Sequence, residues 1–201
     1  MSREITAKEV RELRDKTGAG VLACKKALEE VDGDMEEAIS LLRKKGEEIA
    51  GKRVGRTTSA GVIYSYIHAG DQVGVMVDVN CESDFVARNE DFRRFAKDAA
   101  MQITAMSPRW VSREDVPAEI LAKEREILLE QARAEGKPEH IIEKMVDGRI
   151  NKFYEIHCLL DQPFIRDDSV TIQSLLTDLI ARSGENIVVR RFCRFQVGED
   201  D

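Results

Sequence analysis

Asn80-Cys81-Glu82-Ser83-Asp84-Phe85-Val86-Ala87-Arg88-Asn89-Glu90-Asp91-Phe92 separates two kinds of periodicity. Before it, Gln72 to Val79 alternates, with Val73, Val75, Val77 and Val79 on one face and Gly74, Met76 and Asp78 on the other, the pattern of a half-buried strand. After it, Phe92, Phe95, Ala96, Ala99 and Ile103 recur at helical spacing, with Asn89 as the candidate N-cap and Pro108 closing the helix. The stretch is therefore a strand-to-helix corner. It carries an aromatic beside a carboxylate, Asp84-Phe85, in an otherwise polar connection. Phe85 either closes the corner against the core, the ordinary fate of an apolar residue there, or projects into something else.

Outward from this corner the chain alternates between helices and a few strands. Thr6-Ala7-Lys8-Glu9 is a capping box that opens a first helix, with Val10, Leu13 and Thr17 facing inward and Gly18 ending it. A second helix is predicted from Val21 to Val31, with Val21, Cys24, Leu28 and Val31 on its inner face. A third follows the Asp34 cap, with Met35, Ala38 and Leu42 inward, and stops at Gly46. Three short helices with tight turns make a bundle similar to the ubiquitin-associated fold. A core that small uses most of its apolar residues, so binding falls to its rim. Arg14, Val21, Leu22 and Lys25 supply a mixed apolar and basic rim.

From Glu47 to Ser59 the composition shifts, and Gly51-Lys52-Arg53-Val54-Gly55-Arg56-Thr57-Thr58-Ser59, basic and without periodicity, reads as a linker. Gly61 to His68 then alternates and, through Gly70-Asp71, forms an antiparallel hairpin with the strand before the corner. Ser112-Arg113-Glu114-Asp115 is a further cap signal, leading into a helix that carries Ile120, Leu121, Ile127, Leu128 and Ala132. Gly136-Lys137-Pro138 breaks it, and Ile142, Met145, Val146, Ile150 and Phe153 mark its return. The narrow stripes and charged flanks predict a projecting antiparallel helical hairpin over about residues 112–160. After a break at Asp161-Gln162-Pro163-Phe164, Thr171 caps one more helix, ended by Gly184. Ile187 to Val197 reads as a strand that returns to the first hairpin, and Gly198 to Asp201 as a tail. The class is α+β: a three-helix docking module with its linker over 1–56, then an antiparallel-sheet core over 57–201.

The 201 residues are 42% hydrophobic and 34% charged, with a formal net charge of −7, a poor balance for binding nucleic acid through phosphates. A protein partner fits better. Four cysteines, at 24, 81, 158 and 193, are too dispersed for zinc pairs or a disulfide framework and point to a reducing compartment. Met1-Ser2-Arg3-Glu4 has no leader character, and no apolar run reaches the ~18 residues of a membrane span. A cytoplasmic protein without membrane contact is expected.

No Gly-rich phosphate loop precedes a helix at the required spacing, and no histidine pair has metal-ligand spacing. His157 and Cys158 are adjacent and so point apart, which leaves no nucleophile and base by sequence. We therefore assign no catalytic residue, metal ligand or cofactor.

Ser83-Asp84-Phe85-Val86-Ala87-Arg88-Asn89-Glu90-Asp91-Phe92 resembles the Thr-Asp-Phe-Val-Ala-x-Asn-x-x-Phe signature of the elongation factor Ts family, with Ser83 in place of Thr. Leu13 to Leu28 carries a second signature, and the resemblance covers nearly the whole chain. It implies a guanine-nucleotide exchange factor for elongation factor Tu that acts by binding, without covalent chemistry. The bundle positions Arg14, Val21, Leu22 and Lys25 would dock on the partner's nucleotide-binding domain. Ser83, Asp84, Phe85 and Val86 would push in near its magnesium ion and favour the nucleotide-free state over the GDP complex. A chaperone-like protein-binding module is the alternative.

Longer members duplicate the core subdomain and place His where Gln102 stands, so no contact is carried over to Gln102. The single-core form resembles members that work as homodimers. The last strand, apolar on both faces, suits such an interface, with Cys193 and Phe195 on the candidate surface.

Overall fold

Thr6 opens the first helix by reciprocal capping. Its hydroxyl accepts from the Glu9 amide at 3.3 Å, while the Glu9 carboxylate accepts from the Thr6 amide at 2.9 Å. In the computed structural model, which describes residues 3–136 and 138–199, this helix is α1 (Ala7–Thr17). It ends at Gly18, whose φ of 66° is the left-handed cap that glycine adopts without strain. Then come α2 (Val21–Glu30) and α3 (Met35–Arg53), the latter capped by the Asp34 carboxylate on the Glu37 amide at 2.9 Å.

The strands β1 (Ala60–Ile67) and β2 (Val73–Cys81) form the expected hairpin. They are followed by a short helix α4 (Asp84–Arg88) and the long α5 (Glu90–Met106). Next are α6 (Ala118–Ala134) and α7 (Glu139–His157), then the small strands β3 (Pro163–Phe164) and β4 (Asp167–Thr171). α8 (Ile172–Ser183) and β5 (Ile187–Gln196) complete the chain. The three-stranded sheet has the order β1-β2-β5, so the last strand does return to the first hairpin, pairing with β2. The class is α+β, as expected.

The chain divides into two compact units. The first holds the described residues up to Gly61, together with Asn80–Phe92 and Leu175–Val188; the second holds Val62–Val79, Arg93–Ser174 and Val189 onward.

In the first unit, Val10, Leu13, Cys24, Ala27, Leu28 and Ala38 form the bundle core. Two expectations change here. Val21 is exposed, so the inner face of α2 is Cys24, Ala27 and Leu28. The third helix does not stop at Gly46 but runs to Arg53, which takes Gly51, Lys52 and Arg53 out of the predicted linker. Gly46 is buried in mid-helix, and a Cβ there would lie 3.4 Å from the Cβ of Ala181 on α8. The glycine lets two helices approach closely and does not end one of them.

In the second unit, β2 buries Val75, Val77 and Val79, as its alternation predicts. The outward face of the hairpin leaves Ile63, Ile67 and Met76 exposed, and Ile67 lies over Gly74 on the adjacent strand. α6 and α7 pack as a helical pair around Leu128, Ala132, Ile142, Val146 and Ile150. The pair is flanked by ion pairs Arg125–Asp147 (3.0 Å) and Arg149–Glu135 (2.6 Å), whereas Ile127 is exposed.

Its base is fastened by backbone bonds from Trp110 to His157 and from Leu159 back to Trp110, 3.1 and 2.9 Å. The Ser112 cap signal serves a single 3₁₀ turn, Arg113–Asp115, and α6 begins after Pro117. Thr171 caps α8 as expected, its hydroxyl accepting from the Ser174 amide at 3.1 Å. Lys137 of the helix break and Asp200 and Asp201 of the tail lie outside the described residues.

Gln102 is fully buried in this unit. Its amide nitrogen donates to the Gln162 side chain at 3.1 Å and to the Pro163 carbonyl at 3.0 Å, and its oxygen accepts from the Ile165 amide at 2.9 Å. Gln162 in turn donates to the Ile156 carbonyl at 2.8 Å. A polar residue in the apolar stripe of α5 is thus satisfied on both its donor and acceptor sides, as buried amides require.

Candidate functional site

The corner is built from short-range caps. Cys81, buried at the end of β2, donates its thiol to the Ser83 carbonyl at 3.1 Å. Ser83 then caps α4, its hydroxyl accepting from the Val86 amide at 3.4 Å. Asp84 and Phe85 are therefore the first turn of a helix and not residues of an irregular loop. After the five residues of α4, Asn89 takes over from Ser83, its side chain accepting from the Asp91 amide at 2.8 Å to start α5. Along α4, Ala87 is buried and Val86 half-buried, so they form the inner side. Phe85 points away from both and is 82% exposed, which rejects the reading in which it closes the corner against the core. Asp84 is also exposed and pairs with Arg88 at 2.9 Å, one turn on.

From the other end of the sequence, the turn after α8 reaches the same corner. The Glu185 carboxylate accepts the Ser83 amide at 3.0 Å and the Ser83 hydroxyl at 2.5 Å. In the opposite sense, the Glu82 carboxylate accepts the Asn186 amide at 2.6 Å. The Asn186 side chain donates to the Arg56 carbonyl at 2.8 Å, and the Arg56 guanidinium lies 3.5 Å from Glu82. Neither Glu185 nor Asn186 was singled out in the sequence. They lie about a hundred residues from the corner, and no local pattern marks them.

On the bundle, Arg14 lies in the last turn of α1, and Val21, Leu22 and Lys25 lie in the first half of α2; all four are exposed, Val21 by 57% and Leu22 by 66%. Two apolar side chains in water beside two cations form a small mixed surface. The turn beneath it is held by the Thr17 hydroxyl donating to the Leu13 carbonyl at 2.7 Å and accepting from the Ala19 amide at 3.3 Å. The rim and the α4 corner belong to the same compact unit. Cys193 and Phe195 belong to the other, Cys193 half-buried and Phe195 exposed.

Residues 4–199 match the family model described as Elongation factor TS. The chain belongs to the elongation factor Ts family. The Elongation factor Ts of Desulforamulus reducens is 57% identical over 196 residues, 98% of this chain and 90% of that protein. Those of Carboxydothermus hydrogenoformans and Moorella thermoacetica are each 55% identical over 195 residues, 97% of this chain and 90% and 96% of theirs. Membership of the elongation factor Ts family carries a role in translation elongation, as a nucleotide-exchange factor for elongation factor Tu. Among the described residues, no helix is long and apolar enough to cross a membrane.

Two of the four cysteines, Cys81 and Cys158, sit in environments that keep their thiols protonated. Burial, then the nearby Glu185 charge, pushes Cys81 up to about 11; burial, then Asp161, does the same for Cys158. Cys24 is fully buried in the bundle core, leaving Cys193 half-buried on β5. Since the thiolate is the reactive form, iodoacetamide at pH 8 is expected to modify the native chain at no more than one position. Intact-mass spectrometry checks this. Two or more adducts formed at the rate of a free thiol would contradict the assigned burial.

Proposed function

We propose that this chain releases GDP from elongation factor Tu by a two-site mechanism. The rim residues Arg14, Val21, Leu22 and Lys25 dock on the partner's nucleotide-binding domain. Ser83 to Val86 then carry Phe85, with Asp84 beside it, toward the partner's magnesium site. A bound divalent cation is the largest local charge in such a site, so displacing it weakens the hold on the phosphates. No covalent step is needed: a factor that binds the nucleotide-free state more tightly makes nucleotide bind the factor complex more weakly by the same ratio.

The observation that carries this reading is the exposure of Phe85. A large aromatic held in water on a capped helix gains nothing for its own fold. It is the kind of side chain that anchors an interface when a partner covers it. Stopped-flow release of fluorescent GDP from purified elongation factor Tu tests the proposal. The rate should rise with chain concentration and saturate, and a rate independent of the chain would reject it.

We further propose that the chain works in the cytoplasm, without membrane or nucleic-acid contact, as a homodimer formed through its sheet. Ile63, Ile67 and Met76 on the hairpin and Phe195 on the edge strand β5 support the dimer, since all four are exposed. Apolar burial would hold such a pair, and a Cys193 bridge would be secondary, so Cys193→Ser should remain dimeric. Sedimentation equilibrium of the reduced chain at micromolar concentration decides this, with a 22.7 kDa monomer rejecting the dimer.

A further inference from the structure

We infer that Glu185 is a positioning residue for nucleotide exchange, acting through Ser83 on the helix that presents Phe85. This rests on the role proposed above for Phe85.

The need for such a residue follows from size and exposure. α4 has five residues, far below the length at which a helix holds itself in water. Phe85, its largest side chain, contributes no anchoring because it is 82% exposed, and Asp84 and Arg88 are exposed as well. What remains is Ala87 beneath it, Val86 at its side and the cap at Ser83.

Glu185 fixes that cap in a specific way. One carboxylate oxygen accepts a hydrogen bond from the Ser83 amide, which sets the chain direction entering α4. The other accepts a hydrogen bond from the Ser83 hydroxyl, which points that O–H away and leaves a lone pair of the hydroxyl oxygen for the Val86 amide. The three groups form a one-way chain, Val86 N–H to Ser83 oxygen and Ser83 O–H to Glu185. A charged acceptor at its end strengthens each bond. Without the carboxylate the hydroxyl rotates freely, and the cap competes with water.

Glu185 is itself placed by its neighbours. Its amide donates to the Ser183 hydroxyl at 3.3 Å, and the next residue, Asn186, is bonded to the Glu82 carboxylate and the Arg56 carbonyl. Two carboxylates are thus crossed between two turns: Glu185 holds Ser83, and Glu82 holds Asn186. Arg56 follows α3, so this crossing also ties the exit of the docking bundle to the Phe85 corner within one unit.

The test is GDP release from elongation factor Tu, followed by stopped flow to saturation for the full-length chain. The variants are Glu185→Ala, Glu185→Gln, Phe85→Ala and the Phe85→Ala/Glu185→Ala double substitution. We expect Glu185→Ala to lower the plateau rate about fivefold with little change in the half-saturating concentration. Glu185→Gln, which keeps an oxygen to accept the Ser83 amide but sets an NH2 donor opposite the hydroxyl, should recover only part of that loss. In the Phe85→Ala background, removing Glu185 should change the plateau by no more than about 1.5-fold, because the residue acts through Phe85.

A normal plateau for Glu185→Ala beside a lowered one for Phe85→Ala overturns this inference alone. So does an equal loss in both backgrounds. A normal plateau for Phe85→Ala overturns the role of Phe85, and this inference with it. Should Glu185→Ala fail to fold, amide hydrogen exchange of the wild-type chain decides: the Ser83 amide should be protected, and exchange at the rate of a free amide overturns the clamp.

Discussion

Phe85→Ala is expected to lower the saturating rate of GDP release about tenfold, the change given by losing an interface anchor worth ~1.4 kcal/mol. Its half-saturating concentration should move by less than about threefold, since docking rests on the bundle rim and not on this side chain. The fold should be untouched. An 82% exposed ring contributes little to stability, and the α4 backbone is held by Ser83, Ala87 and Asn89. Asp84→Ala should do less, because its surface pair with Arg88 is the kind that water replaces at small cost. Stopped-flow release with fluorescent GDP separates plateau from half-saturation. An unchanged plateau for Phe85→Ala would reject the inserted-aromatic role.

Gln102→Leu is expected to have the opposite signature, a large loss of stability. Leucine fills much of the volume but takes away three partners at once: the donor to Gln162, the donor to Pro163 and the acceptor of the Ile165 amide. An unsatisfied buried polar group costs about 1–3 kcal/mol, and Ile165 and Pro163 are exposed enough for water to recover part of it. A net loss of about 2–3 kcal/mol follows, which for a chain of this length lowers the thermal midpoint by roughly 5–10 °C. The plateau of GDP release below the transition should stay near wild type, because Gln102 is fully buried and offers no surface to a partner. Calorimetry checks it, and a midpoint within about 2 °C of wild type would mean that the network is not stabilising.

Much of this molecule was legible as periodicity. The buried face of β2 and the Phe92, Phe95, Ala96, Ala99, Ile103 stripe of α5 follow from the sequence, because each repeats at the period of its element. The caps at Thr6, Asp34, Asn89 and Thr171 follow for a similar reason: a cap is a contact between residues two or three apart. Gly46 misled because a glycine's sequence signal is the same whether it ends a helix or admits a neighbouring one; only Ala181 distinguishes the two. Phe85 carried two readings until its exposure was known, since an aromatic at a corner looks alike whether it folds inward or outward. Glu185 was not legible at all. Its partner Ser83 lies 102 residues away, and a glutamate in a surface turn has no pattern until the fold brings the two together.

The central claim is that this chain favours the nucleotide-free state of elongation factor Tu. Isothermal titration of the chain into nucleotide-free and into GDP-loaded elongation factor Tu measures that preference directly. We expect at least about tenfold tighter binding to the nucleotide-free form, because a factor can shift an equilibrium only by its difference in affinity for the two states. Equal affinity for the two forms would contradict the exchange mechanism, however tightly the chain bound.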